Sequence, residues 1–207
     1  MNTIKIGSRG EEVRTLQRRL NLYADGIFGP LTDEAVREFQ RCYGLTVDGV
    51  VGVQTWQALG VEDLRNVRKS KRIINEIIVH CSATPEGKDY TTEDIKRWHL
   101  QRGFSTIGYH YVVYRDGSVH EGRSVDVSGA HCTGHNSHSI GVCYIGGLAS
   151  DGKTPKDTRT DAQREGLAWL IRSLKDVYPR AVVHGHREFA NKACPCFDAY
   201  SEYKNLK

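Results

Sequence analysis

The chain of 207 residues contains no apolar run approaching the roughly 18–20 residues that a helix needs to span a bilayer. Insertion into a membrane as a helix is therefore excluded. The opening, MNTIKIGSRGEEVRTLQRRL, lacks the apolar stretch and small-residue cleavage site of a secretory signal. Synthesis in a cytoplasm is the expectation, and any work outside the membrane then needs another exit, such as a holin, lysis or dedicated export. A strong excess of one charge is missing too: 29 Lys and Arg face 25 Asp and Glu, a net +4. That balance suits an anionic surface such as a cell wall and is too weak to argue for nucleic acid. With 39% hydrophobic and 26% charged residues, the composition is that of a folded chain. Cysteine, by contrast, is plentiful, at 42, 81, 132, 143, 194 and 196. In a reducing compartment these read as free thiols with a metal ligand among them, not as three disulfides.

The segment DGIFGPLT (25–32) returns as DGVVGVQT (48–55). Asp-Gly is turn chemistry, and Thr32 and Thr55 are expected N-caps of the helices that follow. Val13, Leu16 and Leu20 share one face of a first helix, Ala35, Val36 and Phe39 of a second, and Trp56 with Leu59 of a short third. No nucleophile, acid–base pair or metal cluster stands out in residues 1–62, so a binding module is expected there. The pattern Gly10, Val13, Leu16, Gln17, Leu20, then DGIFGPLT and AVREFQ, closely resembles the peptidoglycan-binding domain of cell-wall hydrolases. That resemblance implies bacterial peptidoglycan as partner, with Tyr23, Phe28 and Tyr43 as candidate contacts. The basic run over residues 63–72 is expected to be a linker.

From residue 73 to 207 strands and helices alternate, which predicts an α/β domain with a mixed sheet. IINEIIVH (73–80) reads as a buried strand ending in His80. Thr91 and Asp94 form a capping-box start to a helix that Gly103 stops. YHYVVYR and SVHEG are strands joined at Asp116-Gly117, and SIGVCYIGG is another. Thr160 caps a helix whose stripe is Leu167, Leu170, Ile171, Leu174 and Val177, and AVVHGH closes the pattern as a last strand.

Two imidazoles and a thiolate suit zinc, and three protein ligands leave a fourth position for water, the mark of a catalytic site. His80 is one candidate. Spacing does not choose between His184 and His186, two apart in one strand, or between Cys194 and Cys196.

Residues 73–198 resemble an N-acetylmuramoyl-L-alanine amidase of the phage lysozyme type, related to animal peptidoglycan recognition proteins. The motifs carrying this are His80, Gly108-Tyr109-His110, Arg115-Asp116-Gly117, His131 after Gly-Ala, Asn136 with Ser139 to Val142, and His186 with Lys192-Ala-Cys-Pro. The resemblance implies Zn2+ held by His80, His186 and Cys194, with Tyr109 and Lys192 as catalytic partners. It puts His131 near the metal without making it a ligand, in contact with substrate or supporting the site. Cys196 stands where phage members carry serine. The implied activity is cleavage between N-acetylmuramic acid and the L-alanine of the stem peptide, by a monomer acting as an endolysin or autolysin. A non-catalytic wall-recognition protein is the alternative reading. It requires loss of a zinc ligand, and all three are in place.

Overall fold

The computed structural model describes residues 3–59 and 67–206, and the chain divides into two compact units, 1–65 and 66–207.

The first unit contains α1 (Glu11–Arg19), α2 (Pro30–Cys42) and α3 (Val53–Ala58). Their apolar stripes meet in a core of Val13, Leu16, Phe28, Val36, Trp56 and Leu59, closed by Ile4 and Val51. The repeat has a physical basis that its turn chemistry alone does not reveal. Gln17 Nε2 donates to Asp25 Oδ1 (2.8 Å), Ile27 O (3.1 Å) and Thr32 Oγ1 (3.2 Å), while its Oε1 accepts from Gly26 N (2.9 Å). Gln40 repeats every bond, to Asp48 Oδ1 (3.0 Å), Val50 O (3.0 Å) and Thr55 Oγ1 (3.3 Å), and from Gly49 N (3.0 Å). Each helix thus carries a buried glutamine whose amide closes the next Asp-Gly loop. The loop amides of Ile27 and Val50 hold Asp25 and Asp48 below the ordinary carboxylate range.

This network corrects the expected caps. Gly29 is the N-cap of α2, followed by Pro30, whose missing N–H costs nothing in a first turn. Thr32 and Thr55 lie inside α2 and α3 with their hydroxyls committed to the glutamines. Of the candidate wall contacts, Phe28 is 1% exposed and belongs to the core, whereas Tyr23 is 89% and Tyr43 61% exposed.

The second unit is built on a five-stranded sheet. Its strands are β1 (Glu76–Cys81), β3 (Tyr111–Val113), β4 (Val119–Glu121), β5 (Ser139–Tyr144) and β7 (Val182–Gly185), in the order β4-β3-β5-β1-β7. The β3, β5, β1 and β7 pairings are parallel and only β4 runs antiparallel. β1 is an interior strand between β5 and β7, and Ile77, Ile78 and Val79 are fully buried, as expected of a parallel strand covered on both faces. β2 (Thr84–Pro85) and β6 (Gly147–Leu148) form a separate parallel pair.

The capping boxes of α4 (Thr92–Gln101) and α5 (Asp161–Val177) are present at Thr91/Asp94 and Thr160/Gln163. Gln163 is fully buried and also donates to Ile145 O (2.9 Å), tying α5 to the chain beyond β5. Gly117, at φ +83°, turns the β3–β4 hairpin so close to α5 that a Cβ there would strike the carbonyl of Ala162. A final short helix, α6 (Ala199–Tyr203), is capped by Asp198.

Of the expected linker, residues 63–66 lie outside those described. Residues 68–72 are not free chain. Ser70 N donates to Tyr178 Oη (2.6 Å) and Lys71 N to Asp126 Oδ1 (2.8 Å). Arg72 donates to the carbonyls of Val125 (2.8 Å) and Asn136 (3.0 Å). The basic residues here fasten the second unit's own loops.

Candidate active site

His80 is the penultimate residue of β1, and its ring is almost wholly enclosed. β7 stops at Gly185, so His186 does not continue the strand but opens a 3-10 turn, His186–Glu188. That break separates the two histidines that alternation leaves equivalent. His184 is held by Glu188 Oε2 (2.6 Å) beside Phe189, while His186 swings to within 4.5 Å of the His80 ring, centroid to centroid. The chain then returns to Cys194, whose sulfur lies 3.9 Å from His80 Nδ1 and accepts from Cys81 N (3.2 Å). One ligand atom from each of His80, His186 and Cys194 falls within 4.8 Å of the others. Cys196, at φ +71°, points elsewhere: its thiol donates to Gly147 O (3.2 Å) and faces Cys81 Sγ at 4.0 Å.

The trio sits at a cleft of about 460 Å³ whose lining includes Tyr90, Trp98, Arg102, Tyr109, Lys192 and Cys194. Burial first, then the neighbouring His131, His186 and Lys192, holds His80 neutral, well below the usual imidazole pKa. Burial, with Lys192 second, lowers His186. Neutral rings are the form that binds metal. A hydrogen bond with Cys194 is the main cause that pushes the Cys81 thiol up to about 12, so Cys81 stays a thiol. Burial, with the sulfurs of Cys143, Cys194 and Cys81 behind it, raises Tyr109 well above 10. Its phenol is therefore an O–H donor at neutral pH.

His131, expected to contact substrate or support the site, stands edge-on to the His80 ring, 5.0 Å between centroids. Its Nδ1 lies 3.1 Å from His80 Nε2 and its Nε2 3.4 Å from Ser139 Oγ. Burial is the main cause that drops its pKa to about 2. With His80 Nδ1 turned toward Cys194, its Nε2 faces His131, the arrangement in which a ligating imidazole would commit its second nitrogen.

Both units are similar to known proteins. Residues 70–197 match the family described as N-acetylmuramoyl-L-alanine amidase, and residues 9–59 match the putative peptidoglycan binding domain. An endolysin of Enterobacteria phage K11 is 40% identical over 124 residues, 60% of this chain and 82% of that protein. The endolysin of Escherichia phage T7 is 40% identical over 130 residues, 63% and 85% of the two chains. Among solved structures, the N-acetylmuramoyl-L-alanine amidase LysC from Clostridium intestinale superposes with a TM-score of 0.54 at 26% identity, over 66% of this chain and 88% of the other.

This chain belongs to the N-acetylmuramoyl-L-alanine amidase family.

Within the amidase domain, the structure gives the motif residues physical work that sequence spacing does not disclose. Asn136 Oδ1 accepts from the backbone N–H of His131 (2.8 Å) and Cys132 (3.0 Å), shaping the loop that presents the imidazole. A Cβ at Gly141 would overlap the His131 ring, so only glycine admits it there. His110 Nδ1 accepts from Gly141 N (2.9 Å), and Arg72 braces the same loop through the carbonyls of Asn136 and Ser139. Arg72 had no signal in the sequence beyond its place in a charged run.

Proposed function

We propose that this chain is a zinc-dependent peptidoglycan hydrolase cleaving the amide between the lactyl group of N-acetylmuramic acid and L-alanine. The observation that carries the reading is the convergence of His80, His186 and Cys194 beside an open cleft lined by Tyr109 and Lys192.

The donor set fits zinc. Two neutral imidazoles and one thiolate leave the ion a net +1, and three protein ligands leave room for water. When bound, zinc supplies a Lewis acid and lowers the pKa of a coordinated water from 15.7 to roughly 7. The chain's own groups do the rest. Lys192 places an ammonium at the cleft wall, where it stabilises the negative charge that develops on the carbonyl oxygen. Tyr109, protonated, donates a hydrogen bond to the reacting oxygen atoms and serves proton delivery to the leaving amine. Cys81 N–H holds the Cys194 sulfur as acceptor, and His131 fixes the tautomer and tilt of His80. Of the two roles expected of His131, contact with substrate or support of the site, its place beside His80 Nε2 favours support.

The N-terminal unit, with no chemistry of its own, holds the amidase domain on the insoluble wall. Like its endolysin relatives, the chain reaches that wall after release from the cell. The test is digestion of purified sacculi by the full chain, followed by mass spectrometry of the soluble products. Release of stem peptides with free L-alanine amino termini, abolished in Cys194→Ser, is the expected result. Products cut only within the peptide or only within the glycan would overturn the assignment.

A further inference from the structure

A second cluster of ligand-type side chains lies away from the cleft. Glu76, the first residue of β1, accepts on Oε2 from His135 Nδ1 at 2.8 Å and sits 3.4 Å from His138 Nε2. All three ligand atoms lie within 4.8 Å of one another. His80 is on the same strand four residues on, about 13 Å away at the usual rise per residue, so the two clusters are separate sites.

We propose that Glu76, His135 and His138 bind a second divalent ion of the zinc class. Two imidazoles and a carboxylate form a borderline donor set suited to zinc. Tetrahedral bonds of about 2.0–2.1 Å place ligand atoms about 3.4 Å apart; the Glu76–His138 pair already stands at 3.4 Å, and the Glu76–His135 pair, at 2.8 Å, opens by about 0.6 Å to receive the ion. The rings are already aimed. His138 Nδ1 is engaged by Ser137 Oγ at 3.2 Å, which leaves Nε2 for the ion, in the manner of an outer-shell partner. His135 is stacked on Phe189 at 3.9 Å between ring centroids. The three side chains are partly enclosed, with 18%, 26% and 33% of Glu76, His135 and His138 exposed, so the carboxylate is oriented while the site stays open to solvent. Each ring binds through the nitrogen that faces the carboxylate, so an N–H there passes to the other ring nitrogen as the ion enters. Its structural consequence is a clasp between the start of β1 and the loop that carries His131.

The experiment is titration of chelator-stripped full-length chain with Zn2+ by calorimetry, and with Co2+ by absorption spectroscopy. Two equivalents are expected in the wild type, and one in His138→Gln and in Glu76→Gln. With cobalt, one equivalent brings the thiolate charge-transfer band of Cys194 and the other adds ligand-field absorption without it. His138→Gln keeps the thiolate band and loses the second increment. A wild type that binds a single equivalent, or two equivalents persisting in His138→Gln, would overturn the second site. Absence of the thiolate band would instead count against the zinc reading of the cleft, so the two failures are distinguishable.

Discussion

Gln40→Ala tests whether the repeated glutamine holds the first unit together. The substitution removes Gln40 Oε1, the acceptor of the buried Gly49 N–H, at a cost of about 1–3 kcal/mol. Three donated bonds are lost as well. Their acceptors are not orphaned, because Asp48 Oδ1 keeps the Val50 amide and Val50 O keeps the Thr55 hydroxyl. Those losses therefore contribute at the low end of the usual range, and the sum is about 2–4 kcal/mol. A unit of this size has roughly 3–9 kcal/mol in all, so the variant is left marginal. Gln17→Ala removes an equivalent set with no shared partner, and the double variant is expected to unfold the unit by near-additivity. Amide hydrogen exchange on the full chain reads this directly. Protection at Gly49 falls on the order of a hundredfold in Gln40→Ala, while the β1 amides of Ile77 to Val79 keep theirs. Cleavage of soluble muropeptides is unchanged as release from intact walls drops. Unaltered exchange at Gly49 would refute the reasoning, since the glutamine would then be filling space without satisfying the loop.

Lys192→Ala is expected to lower the rate constant for amide cleavage by about 10²–10³-fold with zinc content unchanged; full-rate cleavage by the zinc-loaded variant would remove its oxyanion role. Gly141→Ala drives a methyl group into the His131 ring, so zinc affinity measured by chelator competition should fall about 10–100-fold, as for loss of an outer-shell partner. The pH dependence follows from His99 and His110, both lowered to about 4, with burial the first cause. Each is neutral in the fold, with its Nδ1 accepting a backbone N–H, from Gly108 and Gly141 respectively. Because the folded pKa lies below the unfolded value of about 6.5, their contribution is complete above pH 6.5 and is lost as pH falls toward 4. For His110, which has no exposed surface, linkage gives a loss of about 2 kcal/mol between pH 7 and pH 5. Urea unfolding of the second unit at the two pH values checks it, and equal midpoints would contradict the buried neutral assignment.

What was legible in the sequence was local. The capping box at Thr91/Asp94 and the cap at Thr160 are closed by residues three apart, so short-range chemistry specifies them. The apolar run Ile77–Val79 likewise announces a buried strand. Thr32 and Thr55 misled because a threonine before an apolar stripe favours a cap only while its hydroxyl has no better partner. Here each hydroxyl is claimed by a glutamine fifteen residues earlier. His184 and His186 stayed equivalent for as long as β7 was taken to run through both. The strand ends at Gly185, and a turn, unlike a strand, does not alternate. Cys194 and Cys196 separate through backbone geometry that spacing does not encode, since the left-handed conformation at Cys196 turns its thiol toward Gly147 O.

The scattered motifs of the amidase domain have a common logic once His131 is placed at their centre. At the cleft, His80, His186 and Cys194 bring their ligand atoms together, and Tyr109 and Lys192 line it. Asn136 fixes the backbone of His131, Ser139 faces its Nε2, Gly141 clears space for its ring, and His110 anchors Gly141. Four polar or small residues on one short loop and two adjacent strands thus position one imidazole, and that imidazole meets His80 Nε2. An enclosed ring such as His80 has no solvent to satisfy a ring N–H, so a buried partner is required. The acceptor must itself be neutral, and the strong burial of His131 keeps it so. The cradle therefore precedes the chemistry: it makes one nitrogen of a buried histidine available to a metal by committing the other.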